Sequence, residues 1–494
     1  MTEPDQAQPI IGLEIHVQLK TEAKLFCACA VRSDAPPNSC VCPVCLGHPG
    51  ALPVLNCRAF ELAVLTGLAL NCTIARRCKW DRKNYFYPDL PKNYQISQYD
   101  LPLAHTGNFE LASGGQMKQI RIRRAHLEED AGKSLHDAPG RTLVDLNRAG
   151  TPLLEIVTEP DITSADEAYA FCIELQRLVS YLGVSEGNMQ KGQMRFEPNV
   201  NVAVTEDGKE YRTPIVEIKN LNSFRAVRDA IAYEIQRQTA AWRRDHGYQL
   251  GRCPNENRGW NDEEGVTEFQ RQKEAEQDYR YFPDPDLAMI ELPDSLFDRL
   301  RASLPELPIA RQERFVTKHG IDPVDAATII NHRPTTDLFE EVIRAGGEPG
   351  IVAKQFVNVW LRLANDRHSA VTDLGVGAGR MAELAGITAD GTINKTAVDR
   401  LAELLLDRRE RPLALATELG LLQEHDRETT VRWVEEVFAS NNRAVEDALT
   451  NPKKTKAAVG FLHGQVMQTS GGKADPRLVA ELVERKLAEL RSNR

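Results

Sequence analysis

The spacing of apolar residues changes once along this 494-residue chain, near Pro293, and that change limits what it can fold into. Before it, short runs alternate apolar and polar side chains, the two-residue period of a strand, with a few helical stretches between them. Beyond it the spacing is helical almost throughout. A β-rich first part followed by an all-helical part predicts an α+β architecture. The helix after Ser164 opens with Ser164-Ala-Asp-Glu167, a capping box, and stops at Gly183. A second helix follows Asn222-Ser223, with Val227, Ile231 and Ile235 on one face. Pro254 to Gly265 is polar and reads as an exposed loop. In the helical part, breaks fall at Gly346-Gly347, at Gly375 to Gly379, near Asp407 to Pro412 and at Gly471-Gly472.

The length suggests about three domains. Charges interrupt every apolar stretch well before about 18 residues, so neither a membrane span nor a secretory segment is expected. A net charge of -10 argues against a general nucleic-acid coat. Charge is segregated, however. From Pro452 onward Lys453, Lys454, Lys456, Lys473, Arg477, Arg485, Lys486, Arg491 and Arg494 outnumber Asp475, Glu481, Glu484 and Glu489, which fits a phosphate footprint or a solvated helical surface.

Of the ten cysteines, Cys27-Ala-Cys29 and Cys42-Pro-Val-Cys45 form two close pairs. In a reducing cytoplasm such thiolates read as four soft ligands of a structural Zn²⁺, with inert loop cysteines as the alternative. Cys40 is the spare thiol. Cys57, Cys72, Cys78, Cys172 and Cys253 read as small buried hydrophobes.

Strand alternation then sorts the acids. In Ile11 to Leu19 the odd positions are apolar, and Glu14, His16 and Gln18 face the other way. Arg195, Glu197, Asn199 and Asn201 share one face of a second strand, Glu217 and Lys219 one face of a third, and Glu155 interrupts the apolar run Leu153 to Val157. Each acid alone fits an exposed sheet face; their recurrence points to a site. Leu127-Glu-Glu-Asp-Ala-Gly-Lys-Ser134 imitates a phosphate loop but lacks the glycine required at Leu127. Its acids Glu128, Glu129 and Asp130 would repel a nucleotide unless Mg²⁺ intervened, and His16 could be a further ligand or a proton carrier. Between Asp81 and Gln98, Lys83, Lys92 and several tyrosines lie in a proline-bearing loop suited to phosphate or a stacked base, or to an ordinary surface.

These motifs resemble the GatB family, the B subunits of the bacterial tRNA-dependent amidotransferase GatCAB. The likeness is carried by Ile11-Gly-Leu-Glu-Ile-His16, the four cysteines, Asp81-Arg-Lys-Asn-Tyr-Phe-Tyr-Pro-Asp89, His126-Leu-Glu-Glu-Asp-Ala-Gly-Lys133, Gly150-Thr-Pro-Leu-Leu-Glu155, Glu217-Ile-Lys-Asn-Leu-Asn-Ser-Phe224 and Asp278-Tyr-Arg-Tyr-Phe-Pro-Asp-Pro-Asp286. It implies a cradle domain over residues 1–297, a helical domain over 298–408 and a tRNA-binding YqeY-like tail over 409–494. It implies an ATP-dependent carbon–nitrogen ligase of the cytoplasm. The side-chain carboxylate of Glu-tRNA(Gln) or Asp-tRNA(Asn) is phosphorylated and then amidated by ammonia channelled from glutamine. The implied partners are a glutaminase A subunit and a C subunit in a heterotrimer, the misacylated tRNA, and the non-discriminating synthetase as a further candidate; the implied cofactors are ATP, Mg²⁺ and Zn²⁺. Carried over by position, Glu14, His16, Glu128, Glu155, Glu197 and Glu217 would hold Mg²⁺, with Lys219 beside them in the catalytic site. Lys83, Lys92 and Glu129 would line and gate the ammonia path, and Cys27, Cys29, Cys42 and Cys45 would bind zinc. Where the family usually has Arg-Cys-Asp-x-Asn, this chain has Arg195-Phe-Glu-Pro-Asn199, a longer acid followed by proline. The rival readings are a zinc-stabilised tRNA-binding scaffold without chemistry and an assembly subunit.

Overall fold

The computed structural model describes residues 6–113, 116–138, 140–273, 276–424, 426–450 and 454–492. Residues up to Ile309 form one compact unit and those from Ala310 a second. Of the basic stretch, Pro452, Lys453 and Arg494 lie outside the described residues.

The first unit enters as β1 (Gln6–Gln18) and, after helix α1 (Cys57–Ala69), forms β2 (Asp81–Asn84) and β3 (Tyr94–Ser97). These two pair with each other, and β2 also with Phe282–Pro283, so the expected loop from Asp81 to Gln98 is a small sheet with a turn. The strands of the main sheet that follow include β4 (Ala104–Ser113), β5 (Gln116–Glu129), β6 (Pro152–Thr158), β7 (Met194–Glu206), β8 (Val216–Lys219), β9 (Glu256–Asn261) and β10 (Val266–Gln272). With β1 they make a ten-stranded sheet in the order β10-β9-β8-β7-β1-β6-β5-β4, completed by Thr73–Ile74 on β4 and Lys209–Arg212 on β7. Its labelled neighbours are antiparallel except β8 and β9.

One face of this sheet is closed by helices α2 (Ala165–Tyr181) and α3 (Phe224–Arg244). Their starts follow from their caps. Ser164 Oγ accepts the Glu167 N–H at 3.1 Å, Ser223 Oγ accepts the Ala226 N–H at 3.0 Å, and Gly183, with φ 68°, turns the chain out of α2. Phe171 and Leu175 of α2 and Val227 and Ile231 of α3 share one core with Ile11, Leu13, Ile15 and Val17 of β1. Each such side chain contributes about 1.5–3 kcal/mol by leaving water. With the odd positions of β1 committed to that core, its even positions must face the other way.

The polar stretch from Pro254 to Gly265, expected as a loop, contains β9, seated between β8 and β10. Arg258 is satisfied in space: its guanidinium donates to Thr267 Oγ1 at 2.9 Å and to Glu256 at 3.0 Å. Among the cysteines expected inside, Cys72, Cys78 and Cys172 are buried, whereas Cys57 is exposed at the first position of α1 and Cys253 is half-buried.

From Asp294 onward the described elements are all helical, as the spacing predicts. One core runs from Phe315 to Ala416 and another from Val434 to Leu487. The breaks fall where glycine and proline put them: Arg333–Arg344 ends before Gly346 (φ 102°), Lys395–Leu405 gives way to Pro412–Glu418, and Thr455–Thr469 ends before Gly471 and Gly472. Part of the basic tail is neutralised locally. Lys454 lies 3.5 Å from Asp447, Lys486 3.5 Å from Glu435 and Arg485 3.7 Å from Glu489. Among the described residues no helix is long and apolar enough to cross a membrane.

Candidate functional site

Antiparallel register brings the even positions of β1 into line with acids from far along the chain. Glu14 stands opposite Glu197 of β7, and His16 opposite both Arg195 of β7 and Glu155 of β6. Glu155 in turn faces His126 of β5, and Asn199 of β7 faces Glu217 of β8. Directly opposed side chains in such ladders sit about 4.5–5.5 Å apart at Cβ, close enough to act together. Glu14, His16, Glu128, Glu155, Glu197, Glu217 and Lys219 all line one cavity of about 390 Å³, and Lys83 reaches it from β2.

The cavity has two poles. At the first, His16 Nε2 lies 3.4 Å from Glu128 Oε1 and 3.7 Å from Glu155 Oε2, and His126 Nε2 lies 3.5 Å from Glu155. One ligand atom each from His16, Glu128 and Glu155 falls within 4.8 Å of the others. Burial, reinforced by Glu155, pushes the Glu128 carboxyl up to about 7. Glu155 moves the other way: burial opposes its charge, but His126, His16 and Lys83 outweigh it and hold the carboxyl low. Burial depresses His126 to about 4, which leaves a neutral imidazole at neutral pH. Among the described residues, His16 Nδ1, His126 Nδ1 and Glu128 Oε2 are buried without a hydrogen-bond partner. Buried polar atoms of that kind are costly and call for a ligand, water or ion.

At the second pole lysines stand between the acids. Lys219 Nζ lies 2.6 Å from Glu197 and bonds Glu217 as well. Lys273, just beyond β10, lies 2.6 Å from Glu217 and 3.5 Å from Glu14, and donates to Asn199 Oδ1 at 2.8 Å. Burial would raise Glu217, but Lys219 and Lys273 outweigh it and hold it at about 2. Asn199 Nδ2 donates to Glu14 at 2.9 Å, so β1, β7 and β8 are tied across this end.

Strand alternation divides the acids that follow Leu127. Glu128 and Asp130 face the cavity, where Asp130 meets Arg195 at 2.7 Å, while Glu129 turns away and forms an ion pair with Lys92. Of the three acids expected to repel a nucleotide, Glu129 is thereby taken out of the cavity, while Asp130 stays and still raises Glu128. Glu129 also accepts the Ile96 N–H at 3.0 Å. Lys83 stays on the cavity side, 4.8 Å from the ring centre of Tyr279. Burial opposes its charge, yet Glu128 and the other acids raise its pKa.

The four cysteines come together outside the cavity, with Sγ atoms of Cys27, Cys29, Cys42 and Cys45 within 4.8 Å of one another. Cys45 Sγ accepts the Cys42 N–H at 3.1 Å, and Lys24 Nζ lies 3.6 Å from it. Both contacts favour a thiolate, and four soft thiolates fit Zn²⁺. Cys40 stands apart, its N–H donating to Asn147 Oδ1 at 2.8 Å.

Sequence reasoning missed His126, Lys273, Arg195 as a partner of Asp130, and Asn257. His126 carried a signal, since it alternates with Glu128 on the same strand. Lys273 carried none: it lies in a charged, exposed stretch, and only the meeting of β8, β9 and β10 brings it to the acids.

An open, mainly antiparallel sheet with helices on one face, and acids, imidazoles and lysines around a cavity on the other, defines a cradle whose lining suits charged ligands. The model of the GatB/GatE catalytic domain matches residues 9–298, and that of the GatB domain matches residues 337–487. Relatives named as the B subunit of aspartyl/glutamyl-tRNA(Asn/Gln) amidotransferase are similar over nearly their whole length. That of Rhodopirellula baltica is 45% identical over 480 residues, 96% of this chain and 95% of its own. That of Thermomicrobium roseum is 44% identical over 491 residues, 98% and 99%. That of Caldanaerobacter subterraneus is 42% identical over 485 residues, again 98% and 99%. The chain belongs to the GatB family.

Proposed function

We propose that this chain is the subunit of a tRNA-dependent amidotransferase that activates and amidates the misacylated residue, Glu-tRNA(Gln) or Asp-tRNA(Asn) or both. The observation that carries the reading is the single cavity in which His16, Glu128 and Glu155 converge beside Glu14, Glu197, Glu217 and two lysines. A side-chain carboxylate is a poor acceptor for ammonia, because oxide would have to leave. Attack of its oxygen on the γ-phosphorus of ATP releases ADP and gives an acyl phosphate. Ammonia then attacks the acyl carbon, phosphate departs, and a proton is lost from nitrogen to leave the amide.

Two polarities are needed for the first step, and the site has both. His16, Glu128 and Glu155 are the proposed core of a Mg²⁺ site, with Glu14, Glu197 and Glu217 completing the acidic wall; hard oxygen donors and the unpartnered Glu128 Oε2 fit that ion. Bound there, Mg²⁺ would offset the repulsion between triphosphate and incoming carboxylate. Lys219 and Lys273 present ammonium groups to the same space and suit phosphate oxygens as point charges. Lys83, with Lys92 and Glu129 behind it, is assigned to the ammonia path and its gate. Zinc in the cysteine knuckle is assigned a structural role.

The partners proposed on the same footing are a glutaminase A subunit, a C subunit, the tRNA and the non-discriminating synthetase. The cradle over residues 1–297 would perform the chemistry, with residues 298–408 linking it to a tRNA-binding tail over 409–494. Free thiolates in the knuckle suit a cytoplasmic location. The test is phosphate release from ATP by the chain assembled with its partners, with and without Glu-tRNA(Gln), using ammonium in place of glutamine. Turnover that requires the charged tRNA and vanishes in Glu128→Ala is expected. Unchanged turnover in that variant, with tRNA still bound, would make the chain a scaffold.

A further inference from the structure

Lys24 is fully buried yet takes no part in the cavity. Its backbone N–H donates to the Cys29 carbonyl at 2.9 Å, and its Nζ lies 3.6 Å from Cys45 Sγ and 3.4 Å from the Leu146 carbonyl. One residue thus holds both cysteine pairs. Beside it stands Gly150, with φ 84°. A methyl group there would lie 3.5 Å from Lys24 Cδ, 3.5 Å from Cys45 Cβ and 3.8 Å from Glu129 Oε2. Thiol, buried lysine and the acid of the Lys92 pair therefore converge on one glycine.

A second contact joins the same partners from the other side. The turn from Cys42 ends at Gly47, whose N–H donates to the Val44 carbonyl at 3.0 Å. A methyl at Gly47 would meet Lys92 Cγ at 2.6 Å, so the turn lies directly against the stem of Lys92. Lys92 and Glu129 are themselves nearly buried, and Glu129 is fixed by the Ile96 N–H and by the carbonyl bond from Gln95 Nε2 at 2.7 Å.

We infer that the cysteine knuckle is the positioning element of the Lys92–Glu129 pair, so that metal in the knuckle sets the gate on the path of ammonia. The inference rests on the reading of that pair as a gate. Four thiolates hold the Cys42-to-Gly47 turn in place only while a cation balances their charge. Without it the turn relaxes, Lys24 loses its partner in a buried site, and Lys92 loses its back wall. Access of ammonia then suffers while the chemistry of the cavity does not.

The experiment uses the assembled complex carrying Gly47→Ala, alongside the unmodified complex before and after zinc extraction. Amide formation is measured with glutamine and with ammonium, together with zinc content and hydrogen exchange at the Ile96 amide. Gly47→Ala is expected to retain zinc and its ammonium-driven rate while its glutamine-driven rate falls about 10-fold, the scale typical of lost outer-shell support. Exchange at Ile96 should quicken both in that variant and after extraction. Should Gly47→Ala fail to fold, Lys24→Met breaks the link on the Cys45 side instead, and the same fall in the glutamine-driven rate and quickened Ile96 exchange are expected. An unchanged ratio of the two rates, with unchanged exchange at Ile96, overturns the inference. Failure of the unmodified complex to use ammonium at all would instead overturn the function on which it rests.

Discussion

The two ligand clusters of the first unit are built in opposite ways. The four thiols lie between Cys27 and Cys45, in one stretch of irregular chain, and reach one another through local turns. The carboxylates and imidazoles come from β1, β5, β6, β7 and β8 and are rigidly spaced by strand register. A cation among the four thiols would cross-link that loop, adding to local hydrogen bonds such as that from the Gly47 N–H to the Val44 carbonyl. The acid cluster is held by the sheet whether or not a cation is present, and like charges are forced together against their preference. Comparison of the two teaches that here one cluster serves the fold and the other draws on it.

Breaking each cluster should therefore have opposite signatures. The largest effect is expected from Glu128→Gln, which removes the carboxyl that burial and Glu155 push up to about 7. Charged-tRNA-dependent phosphate release should fall about 10³-fold, the loss of about 4 kcal/mol at the transition state, while the melting temperature holds or rises. An inactive but unfolded variant would erase the distinction. Next, Cys45→Ala or removal of zinc should lower the melting temperature by roughly 5 °C or more, with magnesium withdrawal leaving it nearly unmoved. Differential scanning calorimetry on the complex decides this.

Lys273→Met should act more modestly. An about 10-fold rise in KM for ATP, with kcat less affected, corresponds to one lost charge-assisted contact. A change confined to kcat would place Lys273 with the acid cluster's geometry instead. The smallest effect concerns pH. Glu217 has its ordinary 4.5 lowered to about 2 in the fold by Lys219 and Lys273, so its contribution to stability is present above 4.5 and is lost as pH falls towards 2. The metal-free chain should show that slope in urea titrations, and Glu217→Gln should flatten it.

Much of this is readable in the chain alone. Alternation in Ile11 to Leu19 places Glu14 and His16 on the face opposite the core, and Ser164 and Ser223 mark the two helices that cover that core. The knuckle spacing is legible because its ligands are neighbours in the chain. What could not be read lay between segments. The stretch containing β9 looks like a loop because it is polar almost throughout, and its pairing with β8 and β10 leaves no mark in the residue pattern. Glu128, Glu129 and Asp130 look like one acidic patch until strand direction sends Glu129 to Lys92.

The sequence by itself determined the period of each segment, and with it which side chains share a face, the helix caps, the cysteine pairs and the family motifs. These are short-range properties, fixed by backbone geometry over a few residues. Only the tertiary structure decided how the acids are spaced around one cavity, that Lys273 stands among them, and that the knuckle abuts the Lys92–Glu129 pair. Strand order and register arise from burying a common apolar face under α2 and α3, a condition that many distant residues satisfy together and none states alone.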